Sequence, residues 1–249
     1  MAILVLQHSD TCHLGLLGDS LRTFGQRTRT VRVDRGQALP ADLDDVHGVV
    51  SLGGPQSVND SAAWVAQEKA LLAEAHAAGV PVLGMCLGAQ MLATALGGEV
   101  TRLAKPNLGW HQARAAAVDK EDALYAGVPW RHMVFCWNNE HVSKLPEGAQ
   151  VVMKGENCPV LAYRVGPTSY GIQYHPEWSR QTMLDEIAGA SAAELSAVGT
   201  TAEALRQATA EHSTNAERLA MRTFELCNLL LFPASRQQPG LRARSPLHH

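Results

Sequence analysis

A chain of 249 residues, 46% of them hydrophobic, is long enough to bury a sizeable core within one large domain. Its net charge of −3, without a Lys/Arg cluster, argues against nucleic acid or an acidic membrane surface as the main partner. No apolar run approaches the roughly 18 residues of a membrane span, and the start carries no charged leader, so neither a transmembrane segment nor a signal peptide is expected. Five widely spaced cysteines with no Cys-x-x-Cys pair speak against a zinc site or a disulfide framework and for a reducing, cytoplasmic setting.

In chain order, the first half alternates strands and helices. Strands are predicted near 2–7, 30–34, 47–52 and 80–85, and helices near 14–25, 61–78 and 88–97. The second helix has an N-cap candidate at Asp60, and Trp64, Leu71, Leu72 and Ala75 recur at helical spacing, which makes Trp64 a core residue. Alternation of this kind implies a mostly parallel sheet with helices on both faces, a flavodoxin-like α/β arrangement. Ligands bind beyond the carboxyl ends of such strands.

Two strand ends stand out. Val49-Val-Ser-Leu runs into Gly53-Gly54-Pro55, a loop able to aim backbone N–H groups at a developing oxyanion. The same residues also suit an ordinary strand-to-helix turn. The run Val80-Pro-Val-Leu-Gly84-Met-Cys86-Leu-Gly88-Ala-Gln90 turns from strand to helix at Cys86. A sharp turn there lifts the thiol out of the sheet edge and sets it at a helix N-terminus, which favours the nucleophilic thiolate. The flanking glycines permit the tight turn. Taken alone, Cys86 fits a buried core thiol equally well.

From about 100 to 174 strands dominate (100–104, 113–118, 132–136, 150–154, 159–163 and 169–174), which predicts an antiparallel flank on the parallel sheet. The last of them ends in Tyr174-His175-Pro-Glu177. An imidazole can take a thiol proton, and a carboxylate on its far side fixes the tautomer and steadies the imidazolium. His-Pro-Glu is weak evidence by itself, and becomes strong when paired with the Cys86 turn. Cys12, Cys136, Cys158 and Cys227 are expected to be structural, and His8, like the other histidines outside this motif, to be a surface or internally satisfied residue.

Residues 180–232 are rich in Ala, Glu, Leu and Thr and read as helices over 180–190, 201–212 and 214–231. The last shows an apolar face with Leu219, Met221, Phe224, Leu226, Leu229 and Leu230, which is expected to pack on the core of a single domain spanning 1–232, a partner surface being the alternative. Residues 233–249, with Arg236, Arg242, Arg244 and the closing His248-His249, are expected to form a mobile tail.

The segments Gly53-Gly54-Pro55, Gly84-Met-Cys86-Leu-Gly88-Ala-Gln90 and Gly171-Ile-Gln173-Tyr-His175-Pro-Glu177, in this order, resemble the class I (triad) glutamine amidotransferases. Ile3-Leu-Val-Leu-Gln7-His8 and the stretch Trp137 to Pro146 look most like the branch of the amidotransferase domain of GMP synthase. The resemblance covers about residues 1–185. It implies that Cys86 attacks the glutamine side-chain amide, that His175 is general base and then acid, and that Glu177 orients it. It assigns the oxyanion hole to the N–H groups of Gly54 and Leu87, and contacts to glutamine to Gly53 and Gln90. No metal or other cofactor is implied.

One stretch departs from the pattern. Where that branch reads Trp-His-Gly-Asp or Ser-His-Gly-Asp before a Leu-Pro pair, this chain has Trp137-Asn138-Asn139-Glu140, in a segment read as a loop. Asn138, Asn139 and Glu140 are therefore candidate substrate contacts, with a mere surface variant as the equal alternative, and the departure leaves open which γ-glutamyl compound fits. The sequence also lacks the Ser-Gly-Gly-x-Asp-Ser pyrophosphate loop of a synthetase domain and any Gly-x-x-x-x-Gly-Lys-Ser/Thr motif. Ammonia is then expected to pass to a separate synthetase or acceptor subunit. Alternatively, the chain is a stand-alone γ-glutamyl hydrolase. A non-catalytic binding or regulatory module is the third reading, disfavoured by the intact Cys86, His175 and Glu177.

Overall fold

The computed structural model describes residues 1–116 and 122–233. The end of the strand predicted at 113–118 and nearly all of the predicted tail, including Arg236, Arg242, Arg244 and the His248-His249 pair, lie outside the described residues.

Among the described residues, nine strands form one mixed sheet with helices on both sides. Its parallel half comprises β1 (Ala2–Gln7), β2 (Thr28–Arg32), β3 (Val46–Ser51), β4 (Val82–Met85) and β9 (Ser169–Ile172), in the order β2-β1-β3-β4-β9. Strand β1 explains why this half is parallel and enclosed. Ile3, Leu4, Val5 and Leu6 are each fully buried, a continuous apolar run that requires cover on both faces. Ile3 and Val5 pack with Leu17 and Leu21 of α1 (Gly15–Thr23) and Phe224 of α6 (Ala202–Leu226). Leu4 and Leu6 face the other way, toward Leu71 and Leu72 of α2 (Ala63–Ala77) and Met91 of α3 (Leu87–Ala95).

The antiparallel half continues from β9 through β8 (Ala162–Val165), β7 (Ala149–Lys154), β5 (Glu99–Ala115) and β6 (Arg131–Lys144). The strands read near 100–104 and 113 onward are one strand, β5, whose register on β6 shifts between Arg102 and Asn107. Pro106 lies inside this irregularity, where its missing N–H costs the ladder nothing. The segment from Trp137 to Glu140, read from sequence as a loop, is strand: β6 carries it, with Asn138 opposite Asn107 and Glu140 opposite Arg102. Tertiary pairing overrides the turn propensity of two successive asparagines here.

The C-terminal segment also differs in detail. Helix α4 (Arg180–Gly189) follows the reading, but a short α5 (Ala192–Ala197), started by a Ser191–Glu194 capping box, was not expected. The two helices predicted around His212-Ser213-Thr214 are one continuous α6, ending in a π-helical turn at Cys227–Leu231. Its polar interior residues are absorbed by packing: Trp110 donates to the Thr209 hydroxyl at 3.0 Å, which donates to the Leu205 carbonyl at 2.7 Å. Of the predicted apolar face, Leu219, Phe224 and Leu226 are buried, whereas Leu229 and Leu230 remain about half exposed (55% and 52%). Asp60 is not the N-cap of α2; that position is Ala62, and the Asp60 carboxylate accepts instead from the Ser57 N–H at 3.0 Å in the preceding turn. Trp64 is half-buried against the α2–α3 side of the core, its ring 5.4 Å from that of His8.

Candidate active site

Four of the five parallel strands end at one place. His8 follows β1, Gly53 follows β3, Cys86 follows β4, and His175 lies three residues beyond β9. This is the carboxyl edge of the sheet, beside the point where strand order reverses, at which α/β folds hold ligands.

Cys86 caps α3 with φ +50° and ψ −108°, and is the one described non-glycine residue with positive φ. Such a conformation costs roughly 1–3 kcal/mol and persists only where the surroundings over-determine it. They do so here. The Cys86 N–H donates to the Ile172 carbonyl at 2.8 Å, and the Gly88 N–H to the Leu52 carbonyl at 2.9 Å. A Cβ on Gly84 would lie 2.4 Å from the Gly88 carbonyl oxygen, and one on Gly88 would lie 2.0 Å from the Ser51 carbonyl oxygen. Both glycines are required by backbone contact.

The imidazole of His175 lies beside Cys86, both packing against Gly53, while the Cys86 thiol donates to the Trp137 carbonyl at 3.9 Å. His175 Nδ1 meets Glu177 Oε1 at 2.8 Å. The ring stacks on Trp178, with centroids 3.8 Å apart and planes inclined by 19°. All of these groups are buried, Cys86 being 5% exposed. Burial opposes charge on His175, but electrostatic attraction from Cys86 and Glu177 outweighs it, and the pKa is raised well above the usual 6.5. Glu177 is held by the start of α1: the Leu16 N–H donates to its carbonyl at 2.9 Å, and Gly15, at φ +46°, leaves no room for a Cβ beside that carbonyl.

The Gly53-Gly54 loop lies against this group. A Cβ on Gly53 would sit 3.1 Å from His175 Cε1 and 3.5 Å from Cys86 Cβ, and one on Gly54 would sit 3.0 Å from Leu87 Cδ2. Leu87 is the first residue of α3, so its N–H belongs to the turn for which a helix offers no internal acceptor. Sequence reading therefore named residues that the fold brings together from three separate segments.

The remaining candidates line the cavity in front of Cys86, about 620 Å³ in volume, but much of their bonding capacity is used within the fold. Gln90 donates to the Glu140 carbonyl at 2.8 Å and to Gln173 Oε1 at 3.2 Å. Asn138 is buried, donating to the Glu140 carbonyl at 2.9 Å and accepting from Asn107 at 3.5 Å. Asn139 is exposed on the cavity rim, and the Glu140 carboxylate accepts from the Ser57 hydroxyl at 2.8 Å.

Sequence reading missed several neighbours. Cys12, expected to be structural, lines the cavity; burial pushes its thiol pKa up. Arg102, Glu186 and Glu194 add charge to the walls, and burial raises the Glu186 carboxyl above its usual value. His8 is a fully buried member of a network described below. Its position at the end of β1, level with Gly53 and Cys86 on neighbouring strands, was the available signal.

Comparison with known proteins agrees with this geometry. The model of the family "Glutamine amidotransferase class-I" matches residues 14–191. The chain belongs to this family. Among curated relatives of this glutamine amidotransferase, the GMP synthase [glutamine-hydrolyzing] of Lactobacillus acidophilus is 34% identical over 150 residues, 57% of this chain and 28% of that protein. The enzyme of the same name from Listeria monocytogenes serotype 4b is 30% identical over 177 residues, 69% of this chain and 32% of the relative. The match thus spans less than a third of these relatives' length. Among solved structures, a glutamine amido transferase from Methylobacillus flagellatus superposes with a TM-score of 0.84 at 29% identity, covering 100% of this chain and 98% of that one. A glutamine amidotransferase from Thermotoga maritima shares the fold, with a TM-score of 0.78 at 24% identity over 90% of this chain and 96% of its own. The first of these superpositions includes α5 and α6, which begin beyond the family match. Among the described residues, no helix is long and apolar enough to cross a membrane.

Proposed function

We propose that this glutamine amidotransferase hydrolyses a γ-glutamyl amide through Cys86, with glutamine as the substrate and a separate acceptor subunit as the destination of the ammonia. The observation that carries the proposal is the convergence of Cys86 with the hydrogen-bonded His175–Glu177 pair beside the Gly53-Gly54 peptide. Cys86 Sγ, its proton already passed to His175, attacks the amide carbon. The carbonyl oxygen becomes an oxyanion between the N–H groups of Gly54 and Leu87, where one such donor is worth about 3–4 kcal/mol. The C–N bond then breaks, His175 returns the proton to the leaving nitrogen, and ammonia departs from a γ-glutamyl thioester. Water, deprotonated by the same imidazole, attacks the thioester, and glutamate leaves with Cys86 restored. Glu177 holds the imidazole's tautomer and steadies its charged form. Arg102, Glu140 and Glu186 give the cavity lining charges of both signs, which suits the α-carboxylate and α-ammonium of an amino acid.

A second reading has an observation of its own. A cavity of about 620 Å³ falls within the range that houses drug-sized ligands and exceeds what one amino acid fills. This favours a γ-glutamyl conjugate or peptide, hydrolysed without a partner. A release assay decides between them, using glutamine and a series of γ-glutamyl amides and scoring ammonia, amine and glutamate. Glutamine turnover, stimulated by a co-purifying synthetase, supports the first reading. Partner-free turnover of the conjugates in preference to glutamine supports the second. Turnover of none of them returns the chain to the class of binding modules.

A further inference from the structure

The described structure holds a second buried series of polar groups that the chemistry above does not use. The Ser51 hydroxyl donates to Glu68 Oε1 at 2.6 Å, Glu68 Oε2 meets His8 Nε2 at 2.8 Å, and His8 Nδ1 meets the Gly53 carbonyl oxygen at 3.2 Å. All three side chains are essentially inaccessible to solvent. They come from the ends of β3 and β1 and from the middle of α2, and they converge on one peptide of the loop that packs against Cys86 and His175. A buried carboxylate and imidazole are costly to keep unless the arrangement secures something else.

The chemistry of that peptide says what is secured. A carbonyl oxygen only accepts, so the bond to Gly53 requires the proton on Nδ1 of His8. The Gly53 carbonyl and the Gly54 N–H belong to the same planar unit, and in a trans peptide they point in opposite directions. Anchoring the carbonyl on His8 turns the Gly54 N–H away from His8, toward the space beside Cys86. We infer that His8, held by Glu68 and Ser51, is a positioning residue for the oxyanion hole: it fixes the Gly53-Gly54 peptide plane and, by polarising its carbonyl, strengthens the Gly54 N–H as a donor. Burial works against charge on His8, yet the Glu68 carboxylate and the carbonyls of Gly53 and Leu52 outweigh it and raise its pKa above the usual 6.5. Crowding closes off alternatives, because a Cβ on Gly54 would lie 2.7 Å from His8 Cβ. The Gln56 side chain also donates to the His8 carbonyl at 2.8 Å, tying the far end of the loop to the same residue.

This inference rests on the hydrolase reading, and its test separates the two. Asn carries its amide donor where His has Nδ1, and Gln carries it where His has Nε2. His8→Gln therefore keeps the bond to Glu68 and loses the one to Gly53, whereas His8→Asn does the reverse. For His8→Gln, kcat on the best γ-glutamyl substrate should fall about 10- to 100-fold, below the full cost of deleting an oxyanion donor. KM should hold within about 2-fold, since the hole binds the transition state and not the ground state. Inhibition by glutamate γ-semialdehyde, whose carbonyl adds Cys86 to give an oxyanion, should weaken by a similar factor. Alkylation of Cys86 by iodoacetamide, a displacement that forms no oxyanion, should stay within about 2-fold of wild type. His8→Asn should recover most of kcat.

A merely structural role predicts losses that follow thermal stability, equal in the two variants, with alkylation altered as well; that pattern overturns the inference. So does an unimpaired His8→Gln. Ser51→Ala, a milder cut in the same series, should show the same split at smaller size, and decides the matter if the His8 variants do not fold. An unchanged kcat and aldehyde affinity in Ser51→Ala would then refute the assignment. A wild-type chain that turns over no γ-glutamyl amide overturns the hydrolase reading and this one together. An active chain with His8 variants like wild type overturns this one alone.

Discussion

Gly88→Ala sets local and tertiary preferences directly against each other. Gly88 lies in α3, and by helix propensity alone Ala should stabilise that helix by about 0.5–1 kcal/mol. The tertiary environment says otherwise. The added Cβ would lie 2.0 Å from the Ser51 carbonyl oxygen, 2.5 Å from its carbonyl carbon and 2.6 Å from its hydroxyl. Two of these atoms are backbone in the buried strand β3 and cannot rotate away, so helix and strand must part by about 1 Å to reach tolerable contact. Overpacking of this kind costs typically 1–3 kcal/mol, which in a chain of this length lowers Tm by about 2–10 °C. The same displacement moves Cys86 relative to Gly53 and His175, and a misplacement of about 1 Å costs on the order of 100-fold in rate. Thermal unfolding followed by a release assay on the same preparations measures both effects. A Tm equal to or above wild type, with kcat within about 2-fold, would refute the claim that close backbone approach and not turn geometry alone demands glycine there.

Cys86→Ala should abolish γ-glutamyl hydrolysis with the fold retained, while Cys136→Ala, whose thiol burial holds well above its usual pKa, should keep it; ammonia release and circular dichroism check both. Iodoacetamide at neutral pH should label Cys86 ahead of Cys12, and ahead of Cys227, whose pKa burial pushes up to about 12; peptide mapping of the first alkylated site reads this out. Replacing Asn138-Asn139-Glu140 with His-Gly-Asp should shift the kcat/KM ratio between glutamine and larger γ-glutamyl substrates, because the Asn138 and Glu140 side chains bind Asn107 and Ser57 at the cavity wall. An unchanged ratio would remove these residues from specificity. Burial holds His111 and His132 below the usual 6.5, so the folded state binds fewer protons than the unfolded one as pH falls through that value. Their contribution to stability is complete above about pH 6.5 and is lost on acidification toward the folded pKa values. Urea unfolding between pH 7.5 and 5 should therefore show a shallower acid decline for His132→Gln than for wild type.

Patterns that depend only on nearest neighbours along the chain were legible in the sequence. The apolar run Ile3 to Leu6 can satisfy its side chains only if covered on both faces, and so announces a parallel strand. The glycines around Cys86 mark a turn that side chains would block, and the order of three short motifs identifies the family. Tertiary structure decided the rest, because it depends on partners far apart in sequence. Two asparagines that favour turns lie in strand β6 because β5 pairs with them. Ser213, which favours a helix end, sits inside α6 because the core closes around it. Gln90 and Asn138 look like substrate contacts in a linear reading, yet they spend hydrogen bonds on β6 and β5, as only the folded register shows. His8 closes the Ile3–His8 run that carries part of the resemblance, but nothing in that run marks it as chemical. A lone histidine acquires meaning only when folding sets it between Glu68 on a helix and the Gly53 carbonyl on a neighbouring strand end, since a hydrogen bond requires atoms to meet in space and not in sequence.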